Sequence, residues 1–155
     1  MRWITLMFWL FICFTVAGTS AWWTGSEVRC WYSTLARPSF APPNWVFGPV
    51  WTLLYALMAI AAWKAGLAAS SPWKSVAITL FVSQLALNFT WSLVFFRWHQ
   101  IGWALVDVIF LWTAILLTTL AFARVSMIAS WLMTPYLAWV GFASILNEEY
   151  LRLNR

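Results

Sequence analysis

The sequence predicts an all-α integral membrane protein, a bundle of five transmembrane helices with a long ordered first loop capping one end. Three observations predict it. Only 8% of the 155 residues are charged and 64% are apolar, whereas a soluble domain averages roughly 25% charged residues. Apolar runs of about 20 residues, the length that crosses a bilayer, recur five times along the chain. One connection, between the first two runs, is long and carries Trp31, Tyr32, Phe40, Pro38, Pro42, Pro43 and Asn44. So few charges cannot solvate a surface of this size, so lipid must cover most of the exterior. In lipid only helices and closed barrels satisfy their backbone polar groups. The runs lack the in–out alternation of barrel strands, which leaves helices.

The expected spans are residues 3–23, 45–66, 75–96, 101–123 and 128–150, with 1–155 forming a single transmembrane domain because nothing else fits. The first span begins with Arg2 and contains the small residues Ala17, Gly18, Thr19, Ser20 and Ala21, as a signal peptide would. Its single basic residue and the return of apolar character at Trp22 and Trp23 argue for a retained helix instead. Loops at 67–74, 97–100 and 124–127 are short, which suits antiparallel neighbours. The first loop, 24–44, is long, and its aromatics and prolines argue for an ordered cap rather than a linker. Ala61, Ala62, Ala65 and Gly66 form a small-residue stripe that could serve a helix–helix interface, between copies included.

The formal charge is +5, but the nine basic residues stand at or near segment ends. Snorkelling to headgroups explains them, and no basic run with interleaved aromatics suggests nucleic acid. Arg2, Lys64, Lys74 and Arg124 lie on one side and Arg29, Arg37, Arg97, Arg152 and Arg155 on the other, so the positive-inside rule assigns no orientation. Cys13 and Cys30 fall at different depths and read as free thiols.

Fifteen tryptophans are the strongest anomaly. Trp3, Trp22, Trp23, Trp63, Trp73, Trp98 and Trp131 lie near span ends, where indole anchors at the interface. Trp51, Trp91, Trp112 and Trp139 lie deeper, and a buried indole N–H needs a partner that lipid does not offer. Gln84, Asn88, Trp91, Ser92 and Phe95 share one helical face. Their polar groups are either glue between helices or a ligand-facing site. Asp107, the one acid inside a span, reads as structural, paired with Arg97 or capping a loop. His99 reads as a solvated loop residue, with haem ligation as the alternative. No metal-ligand cluster, phosphate loop or nucleophile–His–acid set is present, so hydrolytic chemistry lacks its parts. Pro135 kinks the fifth span, and Gly141, Ala143 and Ser144 permit close packing or leave space. The end of that span, 146–152, fits a loose sterol-binding pattern.

Trp31-Tyr32, Leu35, Pro38 and the run Pro42-Pro43-Asn44-Trp45-Val46-Phe47-Gly48-Pro49-Val50-Trp51 resemble the first loop and second helix of the tryptophan-rich sensory protein or translocator protein family (TspO/MBR, peripheral-type benzodiazepine receptor). Gln84-Leu85-Ala86-Leu87-Asn88 with Trp91 and Phe95-Phe96, Gly102-Trp103-Ala104-Leu105-Val106-Asp107, and Pro135-Tyr136-Leu137-Ala138-Trp139 with Leu146-Asn147 resemble its third, fourth and fifth helices in order. The resemblance implies a five-helix bundle, usually a homodimer, with a pocket at the first-loop end that takes porphyrins or haem and, in some members, sterols and drug-like ligands. It implies a ligand site of Tyr32, Pro42, Trp51, Gln84, Asn88, Trp91, Trp103, Trp139, Ala143 and Leu146, and no resident cofactor. The chain departs from the family at Phe40, where many members have Trp, so that position supplies no indole N–H. The leading expectation is a receptor or carrier of tetrapyrroles, with Arg29 or Arg37 meeting ligand carboxylates at the rim. The alternatives are light-dependent oxidative breakdown of protoporphyrin, with Trp51 and Trp139 as candidate catalytic residues, and a membrane scaffold.

Overall fold

The computed structural model describes residues 2–69 and 71–155. Met1, and Ser70 of the expected second loop, lie outside the described residues. Five long helices follow one another: α1 (Arg2–Glu27), α2 (Asn44–Leu67), α3 (Trp73–Ser92), α4 (Ile101–Ala123) and α5 (Met127–Leu153). All five are long and apolar enough to cross a membrane, and no strand occurs among the described residues. α3 runs on into a π-helical turn, Leu93–Arg97, closed by the Trp98 amide on the Leu93 carbonyl at 2.9 Å.

Helix periodicity decides which residues meet. On α4, Ala104, Val108, Leu111, Ile115, Thr118 and Phe122 are all buried, at steps of three and four that keep them on one face. The opposite side exposes Trp103, Val106, Ile109, Phe110 and Leu117, an apolar surface that suits the bilayer interior. α1 is the outermost helix: it buries only Trp9, Cys13 and Ser20 and exposes Trp3, Ile4, Met7, Phe8 and Phe11. Many hydroxyls within the spans bond back along their own helix, as in Thr15 to the Phe11 carbonyl at 2.7 Å and Thr113 to the Ile109 carbonyl at 2.9 Å, while Ser130 of α5 donates across to the Thr119 carbonyl of α4 at 2.9 Å. This satisfies them without water. Pro135 cannot donate to the carbonyl four residues back; that carbonyl, of Trp131, accepts the Thr134 hydroxyl at 2.8 Å.

Around the bundle the order is α1, α2, α5, α4, α3, with α1 and α3 meeting to close the ring. The half away from the first connection is filled. Trp9 meets Phe81 edge-on at 5.4 Å and Phe81 stacks on Phe122 at 5.8 Å, joining α1, α3 and α4. Ala61, Ala62 and Ala65 are fully buried within this bundle. These three alanines of the small-residue stripe therefore pack inside one chain and are not available to a second copy, while Gly66 is partly exposed with open space beside it.

The first connection is shorter than expected, because α1 continues to Glu27 and leaves 28–43 outside the long helices. It holds a 3₁₀ turn, Tyr32–Thr34, and is tied to the end of α5. Asn154 accepts from the Ala36 amide at 2.8 Å and donates to the Ala36 carbonyl at 3.1 Å. His99 is an exposed loop residue, as expected, but its ring also makes two contacts. Its Nε2 lies 3.0 Å from Glu27 Oε2, and its ring stacks on Trp31 at 4.2 Å. His99 also adopts a φ of 56°, a left-handed conformation that ends the preceding helix. It thus pins the α3–α4 turn to the end of α1 and to the connection.

Candidate functional site

Beside the first connection the helices part around a cavity of about 560 Å³. Its walls come from the C-terminal half of α1, the N-terminal half of α2, the end of α3 with its π turn, and the C-terminal half of α5. The π turn matters because it adds a residue to the helical turn, and Phe95 and Phe96, which it carries, both stand in the wall. α4 contributes no lining residue.

Three hydrogen-bonded systems bind the walls to one another. The Tyr55 hydroxyl donates to Asn88 Oδ1 at 2.5 Å, and Asn88 Nδ2 donates to the Tyr136 hydroxyl at 2.9 Å. One amide thereby joins α2, α3 and α5. The Trp91 indole donates to Asn147 Oδ1 at 3.1 Å, and Asn147 Nδ2 donates to the Ile101 carbonyl at 3.0 Å. At the rim the Tyr150 hydroxyl donates to that of Tyr32 at 2.6 Å. Burial, reinforced by this bond, holds the Tyr32 phenol well above its ordinary range. It stays neutral at physiological pH.

The aromatic rings form the remainder of the wall. Trp51 lies against Tyr55 at 5.7 Å and Tyr136 at 6.2 Å. Trp139 lies against Phe47 at 5.9 Å and Phe142 at 5.7 Å. Trp91 stacks on Phe95 at 5.2 Å. Trp139 Nε1 is buried without a hydrogen-bond partner. Trp51 and Trp139 both line the cavity, but no ring contact joins them among the described residues, where Phe47 instead covers Trp139.

Of the residues expected at a ligand site, Tyr32, Trp51, Asn88, Trp91, Trp139, Ala143 and Leu146 line this cavity. Gln84, Pro42 and Trp103 do not. Gln84 is fully buried one turn below Asn88, its amide 3.9 Å from the Met58 sulfur. Trp103 is 69% exposed on α4, the helix that does not face the cavity. The guanidinium of Arg37 is turned to the carbonyls of Ala41 and Pro42, bracing the connection rather than reaching the cavity. Asp107 is not paired with Arg97: its Oδ2 is buried without a partner, and Arg97 is exposed.

Sequence reasoning missed the α1 wall. Phe14, Ala17, Gly18, Ala21 and Gly25 line the cavity at helical spacing, and the small residues that suggested a signal peptide are what keep that wall thin. It missed Phe47 and Tyr55 as well. From the connection only Val28 and Tyr32 reach the cavity wall.

The sequence model of the TspO/MBR family matches residues 9–153. The tryptophan-rich protein TspO of Chlorobaculum tepidum is 43% identical, covering 97% of this chain and 96% of the relative. The human translocator protein is 41% identical, covering 86% of this chain and 83% of its own. The tryptophan-rich sensory protein of Cereibacter sphaeroides is 36% identical, covering 99% and 94%. A match of this extent, on five membrane-crossing helices, means that the chain is a multi-pass integral membrane protein and belongs to the TspO/MBR family.

Proposed function

We propose that this protein is a membrane receptor or carrier of tetrapyrroles, with porphyrin or haem as ligand rather than resident cofactor. The observation that carries the reading is the cavity. Its volume of about 560 Å³ lies within the roughly 300–1,000 Å³ of small-molecule sites. Its walls present the faces and edges of Trp51, Trp91 and Trp139 with neutral polar groups between them. A porphyrin is a flat apolar plate, and aromatic walls offer it stacking and edge contacts. Sterol-like and drug-like molecules would compete for the same space. The names of two relatives, a translocator and a sensory protein, fit carriage or sensing. As in the family the sequence resembles, the working unit is proposed to be a homodimer in the bilayer.

One arrangement favours a second reading, light-driven oxidative breakdown of the porphyrin. Trp51 and Tyr55 line the cavity and Tyr136 lies buried against Trp51; these oxidisable rings are placed to exchange single electrons with the excited ligand, while dissolved dioxygen is the oxidant that takes up the electrons the macrocycle loses. Titrating the purified protein with protoporphyrin in darkness and then under illumination tests both. Saturable tryptophan quenching in the dark supports the receptor. Absence of saturable binding reduces the protein to a scaffold. Loss of bound porphyrin under light, faster than in free solution, transfers the assignment to the enzyme.

A further inference from the structure

The two ends of the bundle carry unlike charge. On the side away from the cavity α1 and α3 begin and α2 and α4 end, which places Arg2, Lys64, Lys74 and Arg124 there. No acid accompanies them. The cavity side holds Arg29, Arg37, Arg97, Arg152 and Arg155 together with all four acids, Glu27, Asp107, Glu148 and Glu149. Four cations against no acid, and five against four, leave formal charges of +4 and +1, together the chain's +5. Both ion pairs among the described residues, Glu149 with Arg152 and Glu27 with His99, lie at the cavity side. At the far end Lys74 is engaged by backbone, its Nζ donating to the Ala68 carbonyl at 3.0 Å.

Two of the far-end cations meet where α1 begins and α2 ends. The Trp63 indole donates to the Arg2 carbonyl at 2.9 Å, and Trp3 stacks on Trp63 at 5.9 Å. Lys64 Nζ lies 4.8 Å from the centre of the Trp63 ring. Indole belongs at headgroup depth, so both cations stand in the polar layer of the bilayer. Just inside it α1 exposes Ile4, Met7, Phe8 and Phe11, where acyl chains lie. None of Arg2, Trp3, Trp63 and Lys64 lines the cavity.

We infer that this end of the bundle binds anionic phospholipid, with Arg2 and Lys64 as the partners of the phosphate and the acyl chains lying along α1. A phosphodiester headgroup of net negative charge supplies the counter-ion that no acid of the chain provides. A zwitterionic headgroup brings its own cation, which the surrounding positive charge repels. The apolar face beneath the two cations favours an anion that carries hydrocarbon tails over free phosphate.

The test incubates the full-length protein in a neutral detergent with dioleoyl phosphatidylglycerol or dioleoyl phosphatidylcholine and counts bound lipids by native mass spectrometry. The anionic lipid should bind at least about fivefold more tightly, the scale of one basic side chain at an anionic headgroup. Arg2→Gln with Lys64→Gln should reduce that preference to about twofold or less. Arg29→Gln with Arg97→Gln, which removes as many exposed cations from the cavity side, should leave it intact. The charge-conserving exchange Arg2→Lys with Lys64→Arg should bind like the parent, and thermal unfolding in the same detergent checks that each variant is folded. If the neutralised pair does not fold, Lys64→Gln alone carries the comparison, with a loss of about twofold or more expected and no loss overturning the inference. Equal affinity of the parent for the two lipids overturns it. So does an equal loss in the two neutralised pairs, which would make the preference a diffuse effect of net charge. Full displacement of the lipid by inorganic phosphate also overturns it, because the corner would then be a site for the free anion.

Discussion

In the half of the bundle away from the first connection, Ala59, Ala61, Ala62 and Ala65 are fully buried on α2, and Trp9, Met58, Phe81 and Phe122 fill the space between helices. In the half beside the connection, Gly18, Ala21, Gly25, Gly48 and Ala143 stand in the wall of a cavity. Small residues thus do two opposite things. Where large side chains from neighbouring helices interdigitate with them, they let backbones approach. Where the large side chains are flat rings held back by hydrogen bonds, the same smallness leaves room. What separates the halves is the Tyr55–Asn88–Tyr136 bridge, which lies between the packed core and the cavity.

Overpacking should therefore break one half and spare the other. Ala62→Leu inserts volume where nothing can yield and should destabilise the bundle by about 1–3 kcal/mol. Ala143→Leu pushes into open space, so stability should move by no more than about 0.5 kcal/mol, while ligand binding falls as the cavity fills. Thermal unfolding of both variants in the same detergent measures the contrast. Equal losses of melting temperature would mean that the cavity half is as tightly constrained as the core.

A smaller effect separates two buried amides one turn apart. Asn88→Ala removes both bonds of the bridge and strands two buried phenols, a loss of about 1–2 kcal/mol. Gln84 makes only the long contact to the Met58 sulfur, and its Oε1 has no partner. Gln84→Met, close in volume, should be neutral or stabilising, because it deletes an unsatisfied buried group. A Gln84→Met variant as unstable as Asn88→Ala would place an unseen partner on Gln84 and extend the polar layer into the packed half.

The same two amides show how far the sequence reaches. An amide inside a membrane span must face protein, so Asn88, Gln84 and their helical face were readable as interior. Which of them meets space and which meets packed side chains depends on what the neighbouring helices bring to that depth, and hydropathy is blind to it. For the same reason the five spans were legible but the apolar lining was not: lipid and a cavity wall both accept Phe14, Gly18 or Phe47. Trp103 stands outside this cavity because α4 contributes no lining residue to it, a placement the sequence does not show, since indole suits both a ligand and the membrane interface. The first connection came out too long because Thr24 and Gly25 read as loop, whereas α1 continues through them to Glu27, whose carboxylate meets His99 at 3.0 Å.

The smallest expected effect on binding distinguishes the two readings of the cavity. Trp139 and Trp51 both line it, yet their surroundings differ. Trp139 keeps an unpartnered buried N–H and is covered by Phe47 and Phe142, while Trp51 stands in the ring chain with Tyr55 and Tyr136. Trp139→Phe retains a ring and removes an orphaned donor, so the protein should fold normally. An aromatic contact is worth about 0.5–1.5 kcal/mol beyond its area, and Phe keeps most of it, so porphyrin affinity should weaken by less than about tenfold. A receptor or carrier tolerates that change and, with Trp51→Phe as well, still binds in darkness. A photochemical enzyme behaves differently, since phenylalanine is far harder to oxidise than indole: the variant with the essential Trp replaced binds porphyrin yet loses its light-driven breakdown. Because Trp51 has Tyr55 and Tyr136 behind it to refill an oxidised ring, Trp51→Phe should lose more of that activity than Trp139→Phe. If both variants keep full binding and full light-driven turnover, neither indole contributes electrons, and the photochemical reading has no donor at this wall.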